Sequence, residues 1–194
     1  MMTPGLSYVA ANPRALERHK TADLVTRYWD WTFRDGDLHY QKYCGTPPEH
    51  MLFGQAKALE MLLAEGLEAA WTRHAILAGM VQAAVAKWAE AGALEFNISQ
   101  RAQRAGSVTT VLLNDHDPAA LLNMCKEECG VTVGITIGPL DGKGFRIAHM
   151  GHVNAPMVLG TLGVLEAALG ALDIPHGSGG VQAATKALSA ALKS

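Results

Sequence analysis

The sequence has few of the features that mark several common protein classes. It contains three cysteines, and an odd number with no recognisable signal peptide is typical of a reducing cytoplasm rather than of a disulfide framework. Its net charge is −2 and its basic residues are scattered, which argues against nucleic acid or an acidic membrane surface as a partner. No uninterrupted apolar run reaches the roughly 20 residues that a membrane helix needs. We therefore expect a cytoplasmic protein that binds neither nucleic acid nor a membrane.

Apolar residues, by contrast, are plentiful. They make up 49% of the 194 residues, enough for the core of one good-sized domain or two small ones. Helical periodicity and period-two alternation divide most of the chain into elements. The predicted order is a helix from Pro48 interrupted at Gly66, a second helix ending near Gly92, strands at 93–98 and 107–114, a helix at 117–129, strands at 131–137 and 145–150, and helices at 155–172 and 179–192. This order predicts a small antiparallel sheet with helices on one face.

The beginning of the chain is less regular. The stretch "PGLSYVAAN" at 4–12 is nearly all apolar and predicts a strand of the kind that lies inside a sheet covered on both faces. No neighbouring strand precedes it, which suggests that the chain is the back part of something longer. A helix is predicted from Pro13, since proline favours the first helical turn. Residues 28–48 are predicted to be irregular.

One arginine lies inside the last predicted strand. Arg146, in "FRIAHM", has mostly apolar neighbours, and a buried guanidinium is costly unless an anion meets it. On the preceding strand Thr132, Gly134 and Thr136 share one face, and if that face meets Arg146 it leaves room for a ligand. A guanidinium suits a carboxylate because two parallel N–H bonds match two oxygens. The register is open at this point, and so is the alternative of a surface arginine on an edge strand.

Two hydroxyl groups precede the first long predicted helix. Tyr43 and Thr46 lie in "YCGTPPEHM", just ahead of a helix whose first turn holds a proline pair. Hydroxyl groups near a helix N-terminus are well placed to bind a phosphate. The alternative is that Thr46 serves only as a helix cap.

The cysteines and histidines give a weaker signal. Cys125 and Cys129 are four residues apart on one helix face, but a metal site needs two more ligands, and nothing supplies them at a recognisable spacing. We therefore predict structural thiols and no metal site. His149 and His152 flank Gly151 without any zinc-binding spacing, and we predict core or rim histidines.

Five stretches, taken in order, resemble one family: "PGLSYVAANPRAL", "YCGTPP", "EGLEAAWTRH", "SVTTVLL" and "GFRIAHMG". They resemble the C-terminal half of class V aminotransferases, the alanine/serine–glyoxylate group of pyridoxal-phosphate enzymes. The resemblance implies the C-terminal part of the α/β type I pyridoxal-phosphate transferase fold, whose small domain has an antiparallel sheet and helices. Residues 1–65 would be the remainder of the large cofactor-binding domain, and 66–194 the small C-terminal domain. The tail after His176 resembles nothing specific.

The resemblance also implies roles. Arg146, in the family's R-I-x-x-x-G strand, would hold the substrate α-carboxylate, and Ala148 replaces a glycine often found there. Tyr43 and Thr46, in the Y-x-x-T-x-P pattern, would hold the phosphate of the pyridoxal 5'-phosphate of the partner subunit in a homodimer. The reaction would move an amino group between a small amino acid and glyoxylate or pyruvate. The family's Schiff-base lysine lies just before the P-G-L-S strand, here upstream of Met1, so no catalytic residue is assigned and we expect the chain alone to be inactive.

Two alternatives remain at this stage. A cysteine desulfurase on the same fold would need a reactive cysteine on a mobile loop, whereas Cys125 and Cys129 are predicted to be helical and Cys44 lies beside the predicted phosphate stretch. A non-catalytic α+β fragment that binds a ligand or partner is favoured, for this chain taken alone, by the missing lysine.

Overall fold

A computed structural model describes residues 2–193. The chain divides into two compact units, Met1–Glu65 and Gly66–Ser194. Gly66 has a φ of +86°, a backbone conformation that glycine adopts without strain. Among residues 2–193, no helix combines the length and the apolar composition needed to cross a membrane.

The first unit is helical and contributes nothing to the core. No residue of 2–65 is buried. The predicted helix at Pro13 is present and is capped by Asn12, whose side chain accepts a hydrogen bond from the Ala15 amide at 2.9 Å. Two short helices occupy the stretch predicted to be irregular, and Asp30 caps the first of them. The helices are α1 (Pro13–His19), α2 (Trp31–Arg34), α3 (His39–Tyr43) and α4 (Glu49–Glu65).

The predicted strand at 4–12 is wrong. Residues 5–11 form no strand, and within residues 2–193 the sheet contains no segment of the first unit. An apolar run favours a strand only if a second strand supplies the hydrogen bonds of a ladder. Tyr8 and Val9 are each 69% exposed, so this segment has neither the ladder nor the covered faces that its composition predicted.

The second unit holds a four-stranded antiparallel sheet. Its strands are β1 (Leu94–Phe96), β2 (Val108–Leu113), β3 (Gly134–Ile135) and β4 (Gly144–Ala148), in the order β1-β2-β4-β3. Burial alternates along β2, with Thr109, Val111 and Leu113 buried and their neighbours half-buried. One face of the sheet therefore packs on the core, as the alternation in the sequence predicts.

Four helices complete this unit: the first two pack on the buried face of the sheet, and the last two pack on those helices. They are α5 (Leu67–Trp88), α6 (Pro118–Asn123, continued by a π turn at Met124–Glu128), α7 (Ala155–Ala171) and α8 (Gly180–Ala191). On α5 the apolar side chains of Leu77, Val81, Val85 and Trp88 are buried, whereas Leu67 and Trp71 at its start are 48% and 67% exposed. Each large side chain removed from water contributes about 1.5–3 kcal/mol to stability. The largest fully buried ones include Trp88, Phe145, Leu77, Met80, Leu94, Leu121, Leu162, Leu165 and Leu169.

The tail that matched no motif is anchored by one carboxylate. Glu166 on α7 accepts hydrogen bonds from the amides of Gly179 and Val181, at 3.1 and 2.8 Å, and from the Trp88 indole at 3.1 Å. The first amides of a helix have no partner inside it, so this carboxylate caps α8 from a distance. At Gly180 a methyl group would overlap the Trp88 ring, which explains the glycine where α8 begins against α5.

Candidate functional site

Arg146 lies on an interior strand. β4 is hydrogen-bonded to β2 on one side and to β3 on the other, so the edge-strand alternative does not hold. The register places Arg146 opposite Thr110 of β2 and opposite Gly134 of β3. Directly paired residues share a face of the sheet, so the small residue predicted to lie beside the arginine is Gly134. A Cβ there would lie 3.2 Å from the Arg146 carbonyl oxygen and 3.8 Å from its Nε.

Beyond Gly134, the predicted face of small residues does not continue beside Arg146. β3 comprises only two residues, and the burial around it does not follow that of its partner strand: Ile135 pairs with the buried Phe145 but is 59% exposed, and beyond the strand Thr136 is buried while Ile137 is 61% exposed. The Thr136 hydroxyl donates to the Gly144 carbonyl at 3.2 Å, so it serves the hairpin rather than a ligand. The strict alternation at 131–137 therefore overestimated the length of the strand.

The guanidinium of Arg146 is fixed at one end and open at the other. Its Nε donates to the Ile135 carbonyl at 2.6 Å. Within residues 2–193, its Nη groups make no hydrogen bond and no carboxylate pairs with it. The side chain is half-buried. A planar cation held in this way can donate two parallel hydrogen bonds to a carboxylate with little loss of side-chain entropy.

The loop that follows β4 is tied to α5 by two adjacent side chains. Arg73 Nη1 donates to the carbonyls of Gly151 and Val153, both at 2.9 Å. His74 Nε2 accepts from the Gly151 amide at 3.0 Å, so its Nδ1 carries the proton that is donated to the Ala70 carbonyl at 2.6 Å. These residues lie in the "WTRH" part of a stretch that carried the family resemblance, and sequence reasoning assigned them no role. They hold the backbone that leaves the strand of Arg146.

His149 is a core histidine, as predicted. It is fully buried, and its ring nitrogens lie 3.1 Å from the Gly106 carbonyl and 3.0 Å from the Thr109 hydroxyl. Burial lowers the pKa of His149 below its usual 6.5, although the hydrogen bond to Gly106 acts in the opposite direction, and nearby His74 lowers it further. His152 is exposed. Among residues 2–193, no group of three or more His, Cys, Asp or Glu side chains could hold a metal ion.

This lowered pKa predicts acid sensitivity. The unfolded chain binds a proton at His149 near pH 6.5, whereas the folded chain does so only at lower pH. The free energy of unfolding should therefore fall as pH drops through this window and level off below the folded pKa. Urea unfolding at a series of pH values measures it, with His149→Gln as the comparison because glutamine does not titrate. Parallel pH profiles for the two proteins would contradict the prediction.

Tyr43 and Thr46 flank a tight turn ahead of α4. Tyr43 ends α3, Cys44 follows in the left-handed conformation with a φ of +54°, and Gly45 has a φ of +149°. Tyr43 is half-buried and Thr46 is exposed. Neither hydroxyl makes a hydrogen bond within the described part of the chain, so Thr46 does not act as a side-chain cap of α4 there. Both hydroxyls are thus available to a ligand.

The cysteines show no sign of a reactive thiol site. Cys125 lies fully buried in the π turn, and Cys129 is exposed. Burial, followed by the charge of Cys129, raises the pKa of the Cys125 thiol, which makes it a poor nucleophile at neutral pH. The burial of Cys125 agrees with the prediction of a structural thiol and disfavours it as the nucleophile of a desulfurase, whereas the exposed Cys129 is not packed as that prediction expected.

Individual proteins match this chain, although no protein-family model does. Serine–glyoxylate aminotransferase of Arabidopsis thaliana is 32% identical over 190 residues, covering 93% of this chain and 45% of that protein. L-aspartate–glyoxylate aminotransferase of Paracoccus denitrificans (strain Pd 1222) is 31% identical over 178 residues, covering 90% and 43%. The chain thus spans less than half the length of these curated relatives.

A solved structure shares the fold. The crystal structure of pyridoxamine–pyruvate aminotransferase from Mesorhizobium loti superposes with a TM-score of 0.80 at 27% identity, over 92% of this chain and 46% of that one. The small antiparallel sheet with its helices matches the C-terminal part of the type I pyridoxal-phosphate transferase fold, so the predicted fold class is confirmed. In sequence and in fold, this chain resembles the C-terminal half of a class V, pyridoxal-phosphate-dependent aminotransferase of the alanine/serine–glyoxylate group.

Proposed function

We propose that the complete protein moves an amino group between a small amino acid and glyoxylate or pyruvate, and that this chain supplies the arginine for the substrate carboxylate. The observation that carries the proposal is Arg146: a half-buried guanidinium, held by the Ile135 carbonyl, with Nη donors that have no partner among residues 2–193. Amino acids and keto acids share a carboxylate, so one such group serves both halves of the reaction.

In this mechanism Arg146 binds the substrate carboxylate and orients the substrate. Its two Nη groups donate to the two carboxylate oxygens, which fixes the rotation of the substrate about its Cα–carboxylate bond. Gly134 leaves space beside the guanidinium, because any side chain there would press on the Arg146 backbone. Arg73 and His74 hold the loop after β4 and so limit the movement of that strand. When bound, pyridoxal 5'-phosphate supplies the electron sink that amino transfer requires.

The hydroxyls of Tyr43 and Thr46 fit the phosphate end of this cofactor. They are donors without partners in the described chain, and they flank a turn whose own amides, at Cys44 and Gly45, are already bonded to carbonyls of α3. Glu49 occupies the first turn of α4, so we assign phosphate binding to the hydroxyls rather than to the helix terminus. We propose that they serve the partner subunit of a cytoplasmic homodimer. On this view Met1–Glu65 is the remainder of the large cofactor-binding domain, and Gly66–Ser194 is the small domain.

The lysine that carries the cofactor is proposed to come from outside these 194 residues. Such a lysine works when it is desolvated or lies beside another charge that depresses its pKa. No lysine of residues 2–193 is buried. Four of them form exposed or half-exposed ion pairs with a nearby glutamate: Lys20, Lys57, Lys87 and Lys126.

The reaction itself is the direct test. The complete protein, supplied with cofactor, should transfer the amino group of serine, alanine or aspartate to glyoxylate or pyruvate, and chromatography of the products identifies the pair. Absence of a new amino acid with every combination would overturn the proposed function.

A change at either hydroxyl should weaken cofactor retention. Tyr43→Phe and Thr46→Val each remove one hydroxyl and little volume, so the fold should persist while the cofactor dissociation constant rises about tenfold to a hundredfold, the worth of one hydrogen bond to a charged group. Cofactor absorbance after dialysis measures this.

Mixed dimers test the contribution across the interface. A subunit lacking the Tyr43 hydroxyl is paired with a subunit lacking the catalytic lysine. If the hydroxyl serves the partner, both losses fall in one site and the other site keeps full activity. If it serves its own subunit, every site is damaged. Loss of activity at both sites would therefore refute trans donation.

A further inference from the structure

A second arginine of the Gly66–Ser194 unit lines a cavity beside the β1–β2 connection. The cavity has a volume of about 160 Å³. Apolar and polar side chains share its wall, among them Phe96, Ile98, Gln103, Arg104, Val108 and Thr110. None of these residues takes part in the function proposed above, although Thr110 pairs with Arg146 across the sheet.

Arg104 is held rigidly along one edge. Its Nε donates to the Ile98 carbonyl and its Nη2 to the Ser99 carbonyl, both at 2.9 Å. Its Cζ lies 3.4 Å from the centroid of the Phe96 ring, a close cation–π contact. Nη1 makes no hydrogen bond within the described residues. The opposite edge of the guanidinium therefore offers Nη1 and the second N–H of Nη2 to a carboxylate. Arg146 is similar only in that its Nε donates to a main-chain carbonyl, because its single bond leaves both of its Nη groups unpaired among residues 2–193.

The surroundings of Arg104 favour the binding of an anion. Burial, followed by the charge of Arg101, lowers the pKa of Arg104, so the charged form is held at some cost. Within residues 2–193, no aspartate or glutamate pairs with Arg104 or Arg101. A bound carboxylate would offset both effects through charge-assisted hydrogen bonds.

We propose that this cavity binds a small organic monocarboxylate, with its carboxylate on Arg104 and its apolar part against Ile98 and Val108. The size follows from the volume, since a cavity of about 150 Å³ accommodates a benzene ring. The apolar lining selects against a bare inorganic anion. Because Arg104 is already immobilised by Phe96 and two carbonyls, binding orders few groups in the protein.

Calorimetric titration of the 194-residue protein tests the proposal with four probes. Benzoate has the ring and the carboxylate, acetate lacks the ring, benzyl alcohol lacks the charge, and inorganic phosphate has charge without an apolar part. We expect saturable binding of benzoate, weaker binding of acetate, and none of the other two. The absence of saturable benzoate binding would overturn the proposal, and so would phosphate binding as tight as that of benzoate.

Variants distinguish benzoate binding at Arg104 from binding at other arginines. Arg104→Gln should weaken benzoate binding about tenfold or more, the effect of losing a pair of charge-assisted hydrogen bonds. Arg101→Gln makes the same charge change three residues away, at an exposed side chain that does not line the cavity, and should lower the affinity by no more than about fivefold, because an exposed charge interaction contributes up to about 1 kcal/mol. Arg146→Ala should also leave benzoate bound. A wrong assignment of the Arg104 cavity can therefore be distinguished from a wrong assignment of Arg146 in the proposed function. Equal losses in Arg104→Gln and Arg101→Gln would overturn the assignment.

One variant tests the cavity while leaving Arg104 unchanged. Val108→Phe fills part of the cavity with a residue that strands accept well. It should abolish benzoate binding while circular dichroism shows the native fold. This variant decides the matter if Arg104→Gln fails to fold, and undiminished benzoate binding by Val108→Phe would refute the site.

Discussion

Replacing Arg146 by alanine in the complete enzyme is expected to lower kcat/KM for amino-acid donors by tens to thousands of fold. The guanidinium is half-buried on an interior strand, beside Gly134, and its Nη donors have no partner among residues 2–193. Truncating one member of a desolvated charge pair costs about 2–5 kcal/mol, and each ~1.4 kcal/mol is a factor of ten. Steady-state kinetics with each donor measures the loss.

Two controls separate carboxylate binding from a general loss of structure. A primary amine without a carboxylate should react slowly, and at the same rate, with the native enzyme and with Arg146→Ala. The reason is that this substrate has no carboxylate for Arg146 to bind. Arg146→Lys keeps the charge but loses the two parallel bonds, so it should recover only part of the activity. Unchanged kcat/KM of Arg146→Ala for every amino donor would disprove the role assigned to this residue.

The 194-residue chain purified by itself is expected to have no transaminase activity at all. It holds the arginine and the two hydroxyls for which we propose substrate and cofactor contacts, but we propose that the catalytic lysine lies outside it, and no lysine in residues 2–193 is buried. A partial site binds its cofactor poorly, because the cost of ordering remains while contacts are lost. Added pyridoxal phosphate should therefore react only with surface lysines.

Borohydride reduction followed by peptide mapping distinguishes these cases. Surface reaction labels several lysines, each below one equivalent, and the pattern changes little when the ion-paired Lys57 is replaced by arginine. A functional site would instead label one lysine stoichiometrically. Stoichiometric labelling of a single lysine, together with turnover of an amino acid, would show that the chain is a complete catalyst.

Local patterns predicted most of the second unit correctly. Gly66 separates two long helices, α6 begins at Pro118 within the predicted helix at 117–129, and α7 and α8 begin within a residue or so of their predicted starts. Caps, proline and helical periodicity act over a few residues, so they can be read without knowledge of the fold. The predicted strand at 4–12 failed because pairing, unlike capping, depends on a distant partner.

The sequence by itself determined the class of the fold, the order of the elements in the second unit, and a lone arginine in an apolar strand, since all of these follow from neighbouring residues. Only the tertiary structure decided that Arg146 lies on an interior strand opposite Gly134, that Glu166 caps α8, and that Arg104 faces a cavity with one edge unpaired. The physical reason is distance along the chain. Register, long-range hydrogen bonds and cavities arise from residues 5 to 80 positions apart, whose meeting no local pattern encodes.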